Sequence, residues 1–374
     1  MHVIAVIAGV ACILVALVDA FETILQPRRV THRFRLARFY YRHTWRVWRA
    51  GASLLRPGRT REALLSTFGP LSLLGLFANW ILWLIFGFAF LNDGVGTALS
   101  GALHHNFYDY LYLSGTTFFT LGYGDVTPAQ GFGRTLSVFE SGMGFGFLAA
   151  VIGYLPVLYQ AYSAREVVIS QMDARASSPP TAGEILLRLA RARRLADNDD
   201  LLALWERWAA ELLESQLSFP VLSFYRSQHD NQSWLALLAV ILDTCAILLA
   251  EAGDRDLYQA ELTFAMARHA AVDLTLILRT PTRAPAKDRL SADDLAWLRE
   301  NLQREGVTLR RADDARLAEL RATYEPFLQA LAQRLLFVLP PVVVRGKAID
   351  NWQRSSQGRA PAIGELTSGN QDHF

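Results

Sequence analysis

The chain has 374 residues, a formal net charge of only +2, and 52% hydrophobic against 19% charged residues. So apolar a composition, with a positive mean hydropathy, requires a search for membrane spans before any soluble fold, and so small a net charge gives no ground for a nucleic-acid partner. The two cysteines, Cys12 and Cys245, lie far apart, so they form no disulfide framework and no metal-ligand spacing.

The first apolar run is Val3 to Val18, reaching Leu25 if Asp19 and Glu22 lie at an interface. At ~1.5 Å per residue, ~20 residues cross a hydrocarbon core of ~30 Å. A cleaved signal peptide fits less well, because the run lacks a basic start and a small-residue cleavage motif, and its arginines follow it. Those arginines begin with Arg28, Arg29 and Arg33 and continue to Arg61, with Glu62 the single nearby acid. The positive-inside rule puts this stretch in the cytoplasm and the N-terminus outside. Arg35, Arg38, Arg42, Arg46 and Arg49 recur at spacings of three or four, as in a voltage-sensing helix. Here the intervening residues include polar ones with Phe39, Tyr40, Tyr41, Trp45 and Trp48, and one span precedes them. An interfacial helix lying on anionic lipid is the expected arrangement.

A second run, Leu71 to Leu91, is long enough to span, and a third extends from about Thr135 to Tyr159. Between them, Tyr108 to Thr127 is too short and too glycine-broken to cross. Irregular backbone at membrane depth survives only where protein or a cavity surrounds it. The segment therefore reads as a re-entrant half-helix, about Phe107 to Phe119, followed by an extended loop. With two outer spans, the loop dips from the outside and the chain after the third span is cytoplasmic.

The loop carries Thr120-Leu121-Gly122-Tyr123-Gly124-Asp125. A dehydrated potassium ion needs a cage of oxygens in place of its water. Four chains, each offering the backbone carbonyls of Thr120, Leu121, Gly122 and Tyr123 and the Thr120 hydroxyl, would build one. Carbonyls that all face one axis need backbone angles that glycine at alternate positions relieves. This segment resembles the potassium-channel filter pattern Thr-Val-Gly-Tyr-Gly-Asp, followed by Pro128 and the step Phe132-Gly133-Arg134. The resemblance covers residues 66 to 163, about a quarter of the chain. It implies a two-span pore unit, a homotetramer, K⁺ as the permeant ion, and no cofactor. Leu121 departs from the usual valine or isoleucine and is expected to pack behind the filter. Some members of that family pair the filter aspartate with a pore-helix glutamate, where this chain has Thr116 beside Thr117. Tyr112 lies one turn earlier on the same helix face, so Asp125 either accepts a hydrogen bond from Tyr112 or is simply hydrated.

Further along, Glu140 is an intramembrane acid, which defaults to a functional role: a buried brace behind the filter, or a group facing the cavity, of which the brace is preferred. Gly144 falls where the family often has a hinge, but with Gly142 and Gly146 nearby it also suits close helix packing. Gly153 and Pro156 mark an expected break in the inner helix and a candidate gate.

From about Val168 the composition turns soluble. Helical patterns are expected at Gly183–Leu195, Asp200–Leu217, Trp234–Ala250, Asp256–Arg279, Ala292–Arg304 and Asp313–Leu339, with Asp199 or Asp200 and Ser291 as caps. The run Trp234 to Ala250 approaches span length, but Asp243 at its centre favours a core helix over a fourth span. His269 and Asp273 suggest a hydrogen-bonded pair. Asp197-Asn198-Asp199-Asp200 lacks the glycine and glutamate of a calcium loop, and no Gly-x-Gly-x-x-Gly marks a nucleotide site.

The expected organisation is thus an all-α membrane protein: a first span at 1–26, a basic linker at 27–65, a pore domain at 66–163, a second linker at 164–182, and a helical cytoplasmic domain with a flexible tail at 183–374. Its partners would be itself, anionic lipid and a ligand of the helical domain that the sequence does not name. The leading function is passive potassium conduction across a bacterial inner membrane. The alternatives are a subunit of a potassium uptake system, and a tethered signalling or scaffold protein with a pore-like base. No nucleophile, base or metal constellation implies an enzyme.

Overall fold

In a computed structural model, residues 2–24, 35–56, 58–101, 106–176, 179–227, 232–251, 257–282, 288–307 and 313–345 are described. Arg28, Arg29, Arg33, Asp256 and the tail beyond residue 345 lie outside them. The described chain is mostly helical and divides into two compact units, Met1–Gln160 and Ala161–Phe374.

In the first unit, α1 (His2–Ile24) packs antiparallel along α3 (Arg59–Gly94). Small residues permit the approach. A Cβ on Gly9 would lie 2.6 Å from the Gly87 carbonyl oxygen, and one on Gly94 would lie 2.6 Å from the Val6 nitrogen. Between them in sequence, α2 (Leu36–Ser53) packs on both. Its aromatic residues divide: Phe39 is exposed at 62%, whereas Tyr40, Trp45 and Trp48 turn into the protein. Trp45 is fully buried with its ring 4.8 Å from that of Phe68. The Trp48 indole donates to the Leu64 carbonyl at 2.9 Å, and the Tyr40 hydroxyl fills the space beside Gly75. These contacts dock α2 on α3 and leave Phe39, Arg42 and Arg46 on its outer face. Asp19 is not at an exposed interface. It is buried, and its Oδ2 accepts from the Ala37 amide at 2.9 Å and the Trp80 indole at 2.7 Å, joining all three helices.

Helix α3 starts at Arg59, inside the stretch read as linker. After it come the short strand β1 (Leu99–Ser100), helix α4 (Phe107–Phe118) and strand β2 (Thr127–Pro128). The two strands pair antiparallel, Leu99 opposite Pro128 and Ser100 opposite Thr127. Helix α5 (Gly131–Ala176) then runs without interruption through Pro156, so the expected break there is absent and 164–176 is helix rather than linker.

The second unit holds α6 (Ala182–Arg191), α7 (Asp199–Ser218), a 3-10 turn (Pro220–Phe224), α8 (Trp234–Glu251), α9 (Tyr258–Ile277), α10 (Ala292–Arg304), α11 (Asp314–Ala322) and α12 (Glu325–Leu335). Its core is α8, packed by α6, α9, α11 and α12. Every residue of α8 except Leu249 is buried. By length and composition α8 joins α1, α3 and α5 as a candidate span, yet it is 94% buried in protein, against 17% for the most apolar stretch of α5. Ser291 caps α10 by accepting from the Asp294 amide. Asp199 and Asp200 do not cap α7: they occupy its first turn behind Asn198, where acids favour the helix dipole. The last expected helix divides at Thr323–Tyr324, ahead of Pro326, which suits a first turn and not an interior. His269 and Asp273 are 3.6 Å apart, an ion-pair distance rather than a hydrogen bond.

Candidate functional site

The site is assembled by α4 and the loop that leaves it. Asn106 starts the helix with a full capping box: its side chain accepts from the Tyr108 and Asp109 amides, and the Asp109 side chain accepts from the Asn106 amide. At the other end, the Leu121 amide donates to the Thr116 carbonyl at 2.8 Å and the Thr120 amide to the Thr117 carbonyl at 3.0 Å. These two bonds form a Schellman ending, which demands a left-handed residue where glycine is usual. Thr120 occupies that position with φ 56°. A β-branched residue there is costly, on the order of 1–3 kcal/mol, and such outliers gather at functional sites.

The strain at Thr120 begins a pattern. Gly122 has φ 56° and Gly124 φ 80°, so every second residue from 120 to 124 is left-handed. In an ordinary strand successive carbonyls alternate sides. Alternating hand rotates each peptide so that carbonyls can gather on one side. Leu121 and Tyr123 stay exposed within the single chain, at 53% and 68%, so Leu121 does not find its expected packing behind the loop in one chain alone.

Around the loop, the Tyr112 hydroxyl donates to Asp125 Oδ2 at 2.8 Å. Thr116 is buried and turns its hydroxyl back to the Tyr112 and Leu113 carbonyls, each at 3.0 Å. Thr117 is half-buried. Gly101 has φ 82°, and a Cβ there would collide with the Asp125 carbonyl oxygen, so the residue after β1 and the end of the loop are in backbone contact.

Behind α4, Glu140 of α5 is fully buried and hydrogen-bonded to Ser114, whose hydroxyl also lies 2.8 Å from the Ile85 carbonyl oxygen of α3. Ser114 was not singled out from sequence. A hydroxyl inside an apolar helix face, with Leu111 and Phe118 beside it, is the signal that could have found it. A Cβ on Gly144 would run into the Phe118 carbonyl oxygen, whereas Gly142, Gly146 and Gly153 have open space among the described residues. Gly144 is therefore a close-packing position between α5 and the end of α4.

The basic residues sit apart from this loop. Arg42 and Arg46 are exposed on α2, and Arg38 and Arg49 are half-buried. Arg35 pairs with Glu22 at 3.4 Å and donates to Thr23 Oγ1 at 3.3 Å.

In the second unit, Arg289 lies between two buried carboxylates. It donates to Asp243 at 2.8 and 3.0 Å and to Glu325 at 2.8 and 2.6 Å, while the Tyr324 hydroxyl donates to Asp243 at 2.7 Å. Burial alone would lower the Arg289 guanidinium, but Asp243 and Glu325 raise it above its ordinary value. Burial likewise works against the Glu325 carboxylate, yet the bonds from Arg289 leave it below the usual range. No group of three or more metal-ligating side chains occurs among the described residues.

A family model described as "Ion channel" matches residues 79–160, from within α3 through α4 and the loop into α5. The chain is 25% identical over 198 residues to the "Uncharacterized membrane protein YdjJ" of Bacillus subtilis (strain 168), covering 52% of this chain and 55% of that protein. It thus spans about half the length of the curated relative it matches. No solved structure matches it significantly. Candidate spans and these likenesses together support a multi-pass, mostly helical membrane protein in which residues 79–160 are similar to ion channels.

Proposed function

We propose that this chain is one subunit of a homotetrameric potassium channel that conducts passively across a bacterial inner membrane, with Thr120 to Asp125 as its selectivity filter. The observation that carries this reading is the alternation of left-handed residues at Thr120, Gly122 and Gly124. It suits a column in which the carbonyls of Thr120, Leu121, Gly122 and Tyr123 replace the hydration shell of K⁺. Self-association follows from burial. A non-helical loop at membrane depth must be enclosed by protein, and Leu121 and Tyr123 are open in one chain. Further copies around a common axis would cover them, and a closed cyclic assembly is the ordinary solution for one repeated patch.

In this reading the Tyr112–Asp125 bond holds the outer end of the filter, and Thr116, Thr117 and Glu140 support it from behind. The encased α8 is the core of a cytoplasmic helical domain, which leaves three spans and puts the N-terminus outside. The outward arginines of α2, Arg42 and Arg46, supply charge for anionic headgroups at the inner leaflet. Purified protein in liposomes tests the proposal. Potassium flux well above sodium flux is expected, and equal fluxes, or none, would refute it.

A further inference from the structure

Glu140 poses a problem of proton counting. It is completely buried. Its neighbours on α5, Leu136 and Met143, belong to an apolar cluster with Leu111 and Phe118 of α4 and Ile85 and Phe88 of α3. Among the described residues, Ser114 is its one hydrogen-bonding partner, and its Oε2 has none. The groups that face it from α3 and α4 are thus a backbone carbonyl, a hydroxyl and apolar side chains, with no cation to offset a negative charge. An ionised carboxylate placed so would be a bare buried charge, the costliest arrangement available to it.

Ser114 sharpens the point. Its hydroxyl owns one proton and makes two contacts, one with the Ile85 carbonyl oxygen at 2.8 Å and one with Glu140 Oε1. A carbonyl oxygen can only accept. At 2.8 Å two oxygens with no proton between them repel, so the Ser114 proton belongs on the Ile85 contact. The contact with Glu140 then needs its own proton, and Glu140 alone can bring it. Its second oxygen, Oε2, is left as a neutral carbonyl, for which a missing partner is a modest cost.

We infer that Glu140 is a neutral carboxylic acid that donates to Ser114, which donates in turn to the Ile85 carbonyl, so that one directed hydrogen-bond chain ties α5 through α4 to α3 behind the filter. Glu140 is a positioning residue in this scheme. It touches no permeant ion and acts by fixing Ser114, in the last turns of the helix that leads to Thr120. The inference deepens the channel reading, but its geometry lies within a single chain and does not depend on how many copies assemble.

The test is infrared spectroscopy of the full-length protein in lipid, paired with the liposome flux assay. The wild type is expected to show a protonated carboxylic-acid carbonyl stretch that shifts in D₂O, is missing in E140Q, and moves to higher frequency in S114A. E140A is expected to lower selective potassium flux about tenfold, since it removes the donor to Ser114 and leaves a cavity behind α4. E140Q, whose amide can still donate to Ser114, is expected to restore it. A wild-type spectrum identical to that of E140Q in the carboxylic-acid region overturns the inference, as does an E140Q flux as low as that of E140A. A missing band with selective flux intact sinks the proton chain alone. A band present in a protein with no selective flux sinks the channel reading and leaves the chain standing.

Discussion

The two units bury acids in opposite ways. In the second, Asp243 and Glu325 lie at the centre of a helical core, and Arg289 and Tyr324 meet them with charge and hydrogen bonds. In the first, Glu140 lies in an equally apolar setting with a single hydroxyl for company. Asp243 and Glu140 each interrupt an apolar run that could cross a membrane, so hydropathy alone treats these two alike. The difference lies in what each can tolerate losing. A paired centre keeps its charges only while every partner remains, whereas an isolated acid can hold its proton and needs no cation.

The largest expected effect breaks the paired centre. Removing one partner of a buried ion pair costs about 3–5 kcal/mol, because a charge is left bare. R289A removes the main charge partner of both carboxylates, leaving Asp243 with the Tyr324 hydroxyl and Glu325 with Gln329 and the more distant Arg321, and the Arg289 guanidinium also holds the Pro340 carbonyl at 3.0 Å. The second unit of R289A is expected to become protease-sensitive in the full-length protein at temperatures where the wild type resists. Replacing the centre together, as D243N/R289M/E325Q, is expected to recover much of the loss, since neutral groups of similar volume leave no uncompensated charge. If R289A melts with the wild type, the contrast between the units collapses.

This centre also marks where the sequence ceased to be informative. The half-helix, the filter-like loop, the three long apolar helices and most helix bounds of the second unit were legible, because each is written in local periodicity, capping residues and glycine spacing. Asp243 was conspicuous by its place in an apolar run. Its partner was not, since Arg289 is 46 positions away and Glu325 a further 36 from Arg289. The docking of α2 was missed for a related reason. Its arginines and aromatics suit a lipid surface as well as a protein groove, and sequence does not say that one face, with Trp45 against Phe68 and Tyr40 against Gly75, is taken up by α3. Likewise the hinge and packing readings of Gly144 share one residue type, and sequence does not show the Phe118 carbonyl that lies beside it.

That glycine gives a second, smaller effect, now in the first unit. G144A would press a methyl group into backbone, and backbone yields less readily than the far end of a side chain. Overpacking costs about 1–3 kcal/mol, and here it bears on the last turn of α4, from which the Schellman ending at Thr120 hangs. We expect G144A to lower potassium-over-sodium selectivity in liposome flux, whereas G146A, with open space around it, changes it little. A hinge at Gly144 would show the reverse signature: altered opening with selectivity preserved.

The smallest effect concerns the exposed end of the same site. The Tyr112–Asp125 bond joins a hydroxyl and a carboxylate that both reach solvent, so water can replace either partner when it is lost. A hydrogen bond of this kind contributes on the order of 1 kcal/mol net, well below the buried chain through Ser114 or the centre around Arg289. Y112F removes the donor and keeps the ring. It is expected to leave assembly and selectivity intact and to shorten sustained potassium currents several-fold, read as faster decay in planar bilayers. D125N, which keeps an oxygen acceptor and lowers its charge, is expected to fall between Y112F and wild type. Should Y112F abolish selectivity outright, the outer bond would be structural on the scale of the buried contacts, and burial would cease to rank the supports of the loop.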